Sequence, residues 1–301
     1  MKRNGSKKYI IIFILAVVFM QNSLLASNKL FDFASPKDPG KSLKSKLLGV
    51  VFGLGQNIQN GTSYVSCENC YFTNGLGLAY TLGVVYEQQF TGDMDSYLHH
   101  MKWGVQLLYD SKSIEANFTE RTNAYFSEYD MNIPLLLKHT NDMSLSSVGI
   151  TPFVTYNPLS FFFLRFGVNI DYFLQNKMKH KIELQEKTKI LPNGEKVDIY
   201  IPTKNPNVKR YEYIAEEGDI RDMNKLYISF MPALGFDINL SEKILLSTSF
   251  NYVFPMTKIS NYSDNFNISS WKILFEMKYN LTEGNSIYKK KKTERIYRRE
   301  L

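Results

Sequence analysis

The chain has 301 residues, room for one large domain or two small ones. Its formal net charge of +7 sits at the ends, because Lys2, Arg3, Lys7 and Lys8 lie in the first 26 residues and Lys289 to Lys292, Arg295, Arg298 and Arg299 outnumber two glutamates in the last 13, leaving residues 27 to 288 at −2. That distribution excludes the basic footprint of a nucleic-acid binder, while 20 Tyr and 21 Phe fit a β-rich protein with wet interfaces.

The first predicted element is a secretory signal peptide over residues 1–26. A basic start precedes the 12-residue apolar run "YIIIFILAVVFM", and Ala26 closes the cleavage region. The run is too short to span a membrane as a helix, and no later apolar run approaches the length a helical span needs. Residues 27–45, with two prolines, read as a polar linker.

Alternation of period two then begins and recurs in eight stretches. The first, 46–56, sets Leu48, Val50, Phe52 and Leu54 against Gly49, Val51, Gly53 and Gly55. The second, "GLGLAYTLGVVYEQ" at 75–88, is the cleanest. The third starts near 99 (Met101, Trp103, Val105, Leu107, Tyr109), with an extension towards Thr119 after a slip in register. The fourth is clearest at 147–157, the fifth runs from 160, the sixth from 224, the seventh over 243–257 and the eighth over 268–282.

One face of these strands carries large Phe, Tyr, Leu and Trp side chains. The other carries glycines together with Lys102, Gln106, Arg165, Asn169, Asp171, Asp237, Asn251, Lys272, Glu276 and Lys278. Eight strands enclose an interior that side chains only just fill. Dozens of large residues do not fit inside it, so the apolar face belongs outside, on lipid, and the small and charged face inside. The fold expected is all-β: a transmembrane antiparallel up-and-down β-barrel over residues 46–282, of eight strands. A ten-strand count is the alternative if residues 120–147 ("YFSEYDMNIPLLLKH" among them) and one other stretch form strands of their own. Connections alternate long and short, with "NPLS" at 157–160 and "LSEK" at 240–243 as tight turns and 185–222 as the longest loop. An even strand count puts both termini on one side, the periplasm for an exported chain. Residues 283–301 form a basic, solvated tail.

"GLGLAYTLGVVYE", "ITPFVTYNPLSFFFLRFGVNIDYFL", "ALGFDINLSEKILLSTSFNYVF" and "SWKILFEMKYNL", behind a signal peptide, resemble the PorT-like outer-membrane β-barrel proteins of gram-negative bacteria. The resemblance covers residues 46–282 and is one of pattern, without an active-site motif. It implies the cell outer membrane as location, and outer-membrane lipid as the surroundings. A chain continuing some 20 residues past the last strand departs from barrels that end on a terminal aromatic.

Lys102, Arg165, Asp171, Asp237, Glu276 and Lys278 form the expected lumen charge network, both signs together, so that the charges pair and close the barrel. A narrow polar conduit is the other reading of the same set. Cys67 and Cys70 in "SCENC" read as a small loop disulfide formed on export. A metal knuckle or redox pair is the alternative, but zinc needs four ligands and no other cysteine exists. His139, Asp142 and His180 are the residues a rim hydrolase would use. Pairing through "NPLS" makes i and j sum to about 317 and brings His139 near position 178, but alternation points His139 inward and His180 outward. The expectation is therefore a protein that is not an enzyme, without catalytic residues, cofactor or metal. Its role is structural or interactive, through outer loops and an extracellular or periplasmic protein partner; a small transport component and a rim hydrolase are the alternatives.

Overall fold

The computed structural model describes residues 45–65, 70–91, 96–126, 131–159, 161–191, 194–201, 209–241 and 243–282. The signal peptide, the linker as far as residue 44, Cys67 and the basic tail lie outside the described residues. In chain order the strands are β1 (Lys46–Tyr64), β2 (Tyr71–Phe72), β3 (Leu76–Gln89), β4 (Met101–Ser111), β5 (Ile114–Phe126), β6 (Met131–Leu159), β7 (Phe162–Leu184), β8 (Thr188–Ile190), β9 (Lys196–Asp198), β10 (Glu212–Asp219), β11 (Leu226–Asn239), β12 (Ile244–Pro255) and β13 (Asp264–Asn280), with one 3₁₀ turn at Tyr97–His100.

Eight of these strands close a ring: β1, β3, β4, β6, β7, β11, β12 and β13 pair antiparallel, each with the next, and β13 returns to β1. Closure leaves no unpaired edge in the wall, the condition for crossing a bilayer with strands. Leu47 pairs with Asn280, so the first and last strands begin and end at the same rim. That rim also holds the short connections, at 160–161 between β6 and β7 and at 240–243 between β11 and β12. The first is two residues later than "NPLS" suggests, because Asn157, Pro158 and Leu159 continue β6.

Burial is inverted relative to a soluble barrel. Along β3, Leu78 is 67 % exposed while its neighbour Ala79 is 0 % exposed. Phe52, Leu82, Leu107, Ile150, Phe166, Leu234 and Phe275 face outward around the ring. Two aromatic girdles bound this belt: Tyr86, Trp103 and Tyr279 near the terminal rim, and Tyr80, Tyr109 and Trp271 towards the other. That is the profile of a lipid-facing wall. The inward positions are small where strands crowd. At Gly55 a Cβ would lie 1.9 Å from the Trp271 carbonyl oxygen, so only glycine permits β1 to approach β13 there.

Beyond the belt the chain keeps its strand geometry where loops were expected. β6 has 29 residues and β7 has 23, against about 9–11 for one span. The connection expected at about 120–136 is strand in its described residues: β5 folds back on β6 in continuous register from Ile114↔Met143 to Phe126↔Met131. Residues 185–222 contain the β8–β9 hairpin and β10, which pairs with β7. The result is a projecting sheet in the order β5–β6–β7–β10. The stretch that suggested a ten-strand barrel is thus β5, which lies outside the ring, and the projecting first part of the ring strand β6. β1 likewise runs to Tyr64, past the expected strand end at 56.

A bulge sets the geometry of this projection. Ser146 pairs with Gln175 and Ser147 with Phe173, so β7 carries one extra residue at Leu174. Inward positions of β7 are odd from Phe163 to Phe173 and even from Met178 to Leu184. One inserted residue reverses which side chains face in.

Candidate functional site: the filled lumen and the projecting sheet

All six charges expected in the lumen point inward, but they belong to two layers. In the layer near the terminal rim, Arg165 bridges Glu276 and Glu87, the latter at 3.3 Å. Lys278 reaches Glu87 at 2.8 Å and Glu276 at 2.9 Å. Lys102 reaches Glu87 at 3.1 Å and Asp237 at 3.5 Å. Three cations meet three anions. The Arg165 guanidinium also lies between two rings, 4.2 Å from the Phe153 centroid and 5.1 Å from that of Phe163. The second layer holds Asp171, with Lys112 at 3.0 Å, and Asp110, with Lys272 at 2.5 Å and Lys112 at 3.8 Å. Two cations meet two anions. Charge neutrality within each layer is what burial in a low-dielectric barrel requires.

Glu87, Asp110, Lys112 and Lys272 complete the network; Lys272 was expected on the inward face but outside the six-member charge set, and the other three were outside that set too. Glu87, Asp110 and Lys272 carry a sequence signal, since each sits on the polar phase of its strand. Lys112 lies between β4 and β5, where periodicity says nothing.

Between and above the charge layers the lumen is filled. Val51, Val85, Leu108, Phe153 and Leu274 form an apolar layer inside the ring. Asn57 donates to the carbonyls of Leu78, Ser111 and Ser113, each at 3.1 Å, and accepts from Ser270 at 2.7 Å. The far mouth is closed by Val65, Cys70, Phe72, Ile114, Met143, Leu145, Phe173, Met178, Tyr227, Phe266 and Ile268, packed together. Tyr227 satisfies its buried hydroxyl by donating to the Ile268 carbonyl at 2.6 Å.

The projecting sheet has a core of its own. Ile133 and Leu184 pack with Leu191 and Ile199 of the β8–β9 region, flanked by Leu135, Leu137, Val197 and Tyr211. Its two outer strands differ. β10 is acidic, is broken by a register shift between Ile214 and Glu216, and is tied down by Lys177–Asp219 at 2.6 Å and by Lys181–Glu212. Charge and a bulge are the usual protection of an edge. β5 pairs regularly with β6 along its whole length, and no other strand among the described residues pairs with it beyond Glu115.

His139 and His180 come together at the base of this sheet, contrary to the expected outward His180. The bulge at Leu174 turns His180 inward, and the β6–β7 register sums to about 321 there rather than 317, so His139 pairs with Ile182. His139 Nδ1 lies 3.1 Å from His180 Nε2. His139 stacks on Phe118 at 4.6 Å between centroids, and Phe72 meets His180 edge-on at 5.6 Å. Burial pushes both imidazoles down from their ordinary value, His180 to about 4, so both are neutral at neutral pH. Glu120 Oε2 is 3.3 Å from His139 Nε2. Asp142 pairs with Glu115 and Lys179 and is exposed, away from the histidines. Cys70 is disulfide-bonded, and its Sγ lies 3.6 Å from His139 Nδ1. His99 and His100 lie at the opposite rim, in the Tyr97–His100 turn.

No protein-family model and no curated protein matches the chain. Among solved structures it is similar to Ail, the attachment invasion locus protein of Yersinia pestis, in complex with sucrose octasulfate, at 10 % identity over 79 % of this chain and 100 % of that one, with a TM-score of 0.28. It is similar to Neisserial surface protein A at 7 % identity over 76 % and 95 % of the two chains, TM-score 0.32. The outer membrane protease OmpT from Escherichia coli follows at 10 % identity, 79 % and 97 % coverage, TM-score 0.27. Likenesses this distant carry no argument about this chain. The barrel rests on its own closed hydrogen-bond ladder.

Proposed function

We propose that the protein is a non-conducting, non-enzymatic barrel of the outer membrane, of the PorT-like kind, that acts through its projecting sheet. The observation that carries this reading is the length of β6 and β7. Far more ordered strand is built than a bilayer needs, and the excess is packed around a dedicated apolar core. The lipid belt, the aromatic girdles and the signal-like N-terminus support the membrane assignment. The terminal rim with its short connections then faces the periplasm, and the projecting sheet faces outward. The regular outer edge of β5, which no further strand among the described residues covers over 116–123, suits a partner that adds a strand.

The charge layers argue against transport. Arg165, Glu276 and Lys278 in one layer, and Asp171 and Lys112 in the other, are each no more than 1 % exposed and are paired within their layer. The histidines are buried against Phe118 and Phe72, which argues against a hydrolytic rim.

The test is in two parts. An epitope inserted between residues 201 and 209 is expected to label on intact cells, and purified protein in planar bilayers is expected to give no current steps. Labelling only after cell disruption, or stepwise conductance, would contradict the reading.

A further inference from the structure

We propose that His139 Nδ1 and His180 Nε2, with Cys70 Sγ beside them, form a binding site for a divalent transition metal of the zinc–copper class at the base of the projecting sheet. The argument is geometric. Tetrahedral zinc with nitrogen at about 2.0–2.1 Å and sulfur at about 2.3 Å has N···N edges of about 3.3 Å and N···S edges of about 3.6 Å. His139 Nδ1 and His180 Nε2 are 3.1 Å apart, and Cys70 Sγ is 3.6 Å from His139 Nδ1. All three ligand atoms lie within 4.8 Å of one another, and all three residues are buried.

The tautomers fit. The Glu120 carboxylate is the charge beside His139 Nε2, at 3.3 Å though out of line for a hydrogen bond, and its negative charge favours the tautomer with the proton on that nitrogen. Nδ1 is left with its lone pair facing His180. A carboxylate behind a ligating imidazole is the usual outer partner of a metal-bound histidine. Without metal, His180 Nε2–H donates to His139 Nδ1; for a cation to bind, His180 shifts that proton to its own Nδ1, so that both facing nitrogens ligate as neutral imidazoles and no proton is lost.

A second observation points to a ligand in the same place. Asn141 pairs directly with His180 across the β6–β7 ladder and is 0 % exposed, yet neither its amide nitrogen nor its oxygen has a hydrogen-bond partner among the described residues. A buried amide left unpaired costs free energy. An amide oxygen is also a hard donor that can complete a coordination sphere, directly or through water.

Cys70 grades the site. As a disulfide sulfur it is a weak neutral donor, so the oxidised protein binds through its imidazoles. As a thiol it exchanges its proton for the metal and becomes a full ligand, with no change of oxidation state.

The test uses tag-free, full-length protein in detergent, titrated with zinc and with cobalt(II) as a spectroscopic probe. Correct folding of each variant is verified by heat-dependent gel mobility. One equivalent is expected to bind saturably. His139→Gln and His180→Gln each weaken binding more than tenfold, and Glu120→Gln weakens it about tenfold. His99→Gln/His100→Gln leaves it unchanged. Cys67→Ala, which leaves Cys70 as a thiol, tightens binding and adds a sulfur-to-cobalt charge-transfer band that Cys67→Ala/Cys70→Ser lacks. Absence of saturable binding, or binding that survives both His139→Gln and His180→Gln and is lost on changing His99 and His100, overturns the site.

Discussion

Arg165→Met tests the interior most sharply. Arg165 is 0 % exposed, bonds both oxygens of Glu276, reaches Glu87 at 3.3 Å and lies over Phe153 and Phe163. Its removal leaves Glu87, Asp237 and Glu276 facing only Lys102 and Lys278, one buried negative charge in excess. Breaking a buried pair from one side costs about 3–5 kcal/mol. Methionine keeps contact with the two rings, so the loss reports the charge more than the packing. Arg165→Met/Glu276→Gln restores two anions against two cations. Replacing a whole buried pair is often close to neutral, so the double variant should recover at least half of the loss, a positive coupling in a double-mutant cycle. Urea unfolding from lipid vesicles, followed by fluorescence of the chain's two tryptophans, Trp103 and Trp271, measures all three variants. A single-variant loss below about 1 kcal/mol, the range of solvent-exposed pairs, would mean that the lumen is hydrated. The filled-barrel reasoning would then fail.

Leu82→Arg, placed on the belt between the girdles, should cost about 2–4 kcal/mol in lipid vesicles, measured by the same unfolding assay; a cost near zero would mean that this face does not meet lipid. Gly55→Val should prevent accumulation of the folded, fast-migrating species on unboiled gels, because its Cβ has no room against the Trp271 carbonyl. Leu184→Ala, in the distal core, should cost about 2–5 kcal/mol locally. Limited proteolysis should then cut the projecting sheet sooner while the barrel keeps its heat-dependent mobility; loss of the barrel itself would show that the projection is not a separate packing unit.

The barrel was legible because a lipid-facing strand states its period without interruption. Leu76 to Tyr86 alternates with one exception, Val85 on the inward phase, and the ring strand β3 lies where that pattern runs. Periodicity also put the six named lumen charges on the inward phase, Lys102, Arg165, Asp171 and Asp237 in step with glycines of their own strands and Glu276 and Lys278 opposite the aromatic phase of β13. What it missed follows from two physical causes. Outside the bilayer both faces of a strand meet protein or water, so alternation weakens: β8, β9 and β10 read as loop, and β5 was legible only as an extension of the third stretch towards Thr119 and as part of the alternative strand within 120–147. At Leu174 a single inserted residue reverses the phase of β7, and nothing in "DYFLQNKMKH" marks where the extra residue falls. The phase rule puts His180 on the wrong face for that reason, and so misses the place where β5, β6 and β7 bring Glu120, His139 and His180 together beside Cys70.

The most direct measurement is the gel mobility of the protein from an outer-membrane fraction, with and without boiling in SDS. The account predicts faster migration unboiled, the behaviour of a closed, detergent-resistant barrel recovered from that membrane. Recovery in a soluble fraction with no shift on boiling would contradict it, and the apolar belt from Leu48 to Tyr279 would then need a protein partner in place of lipid.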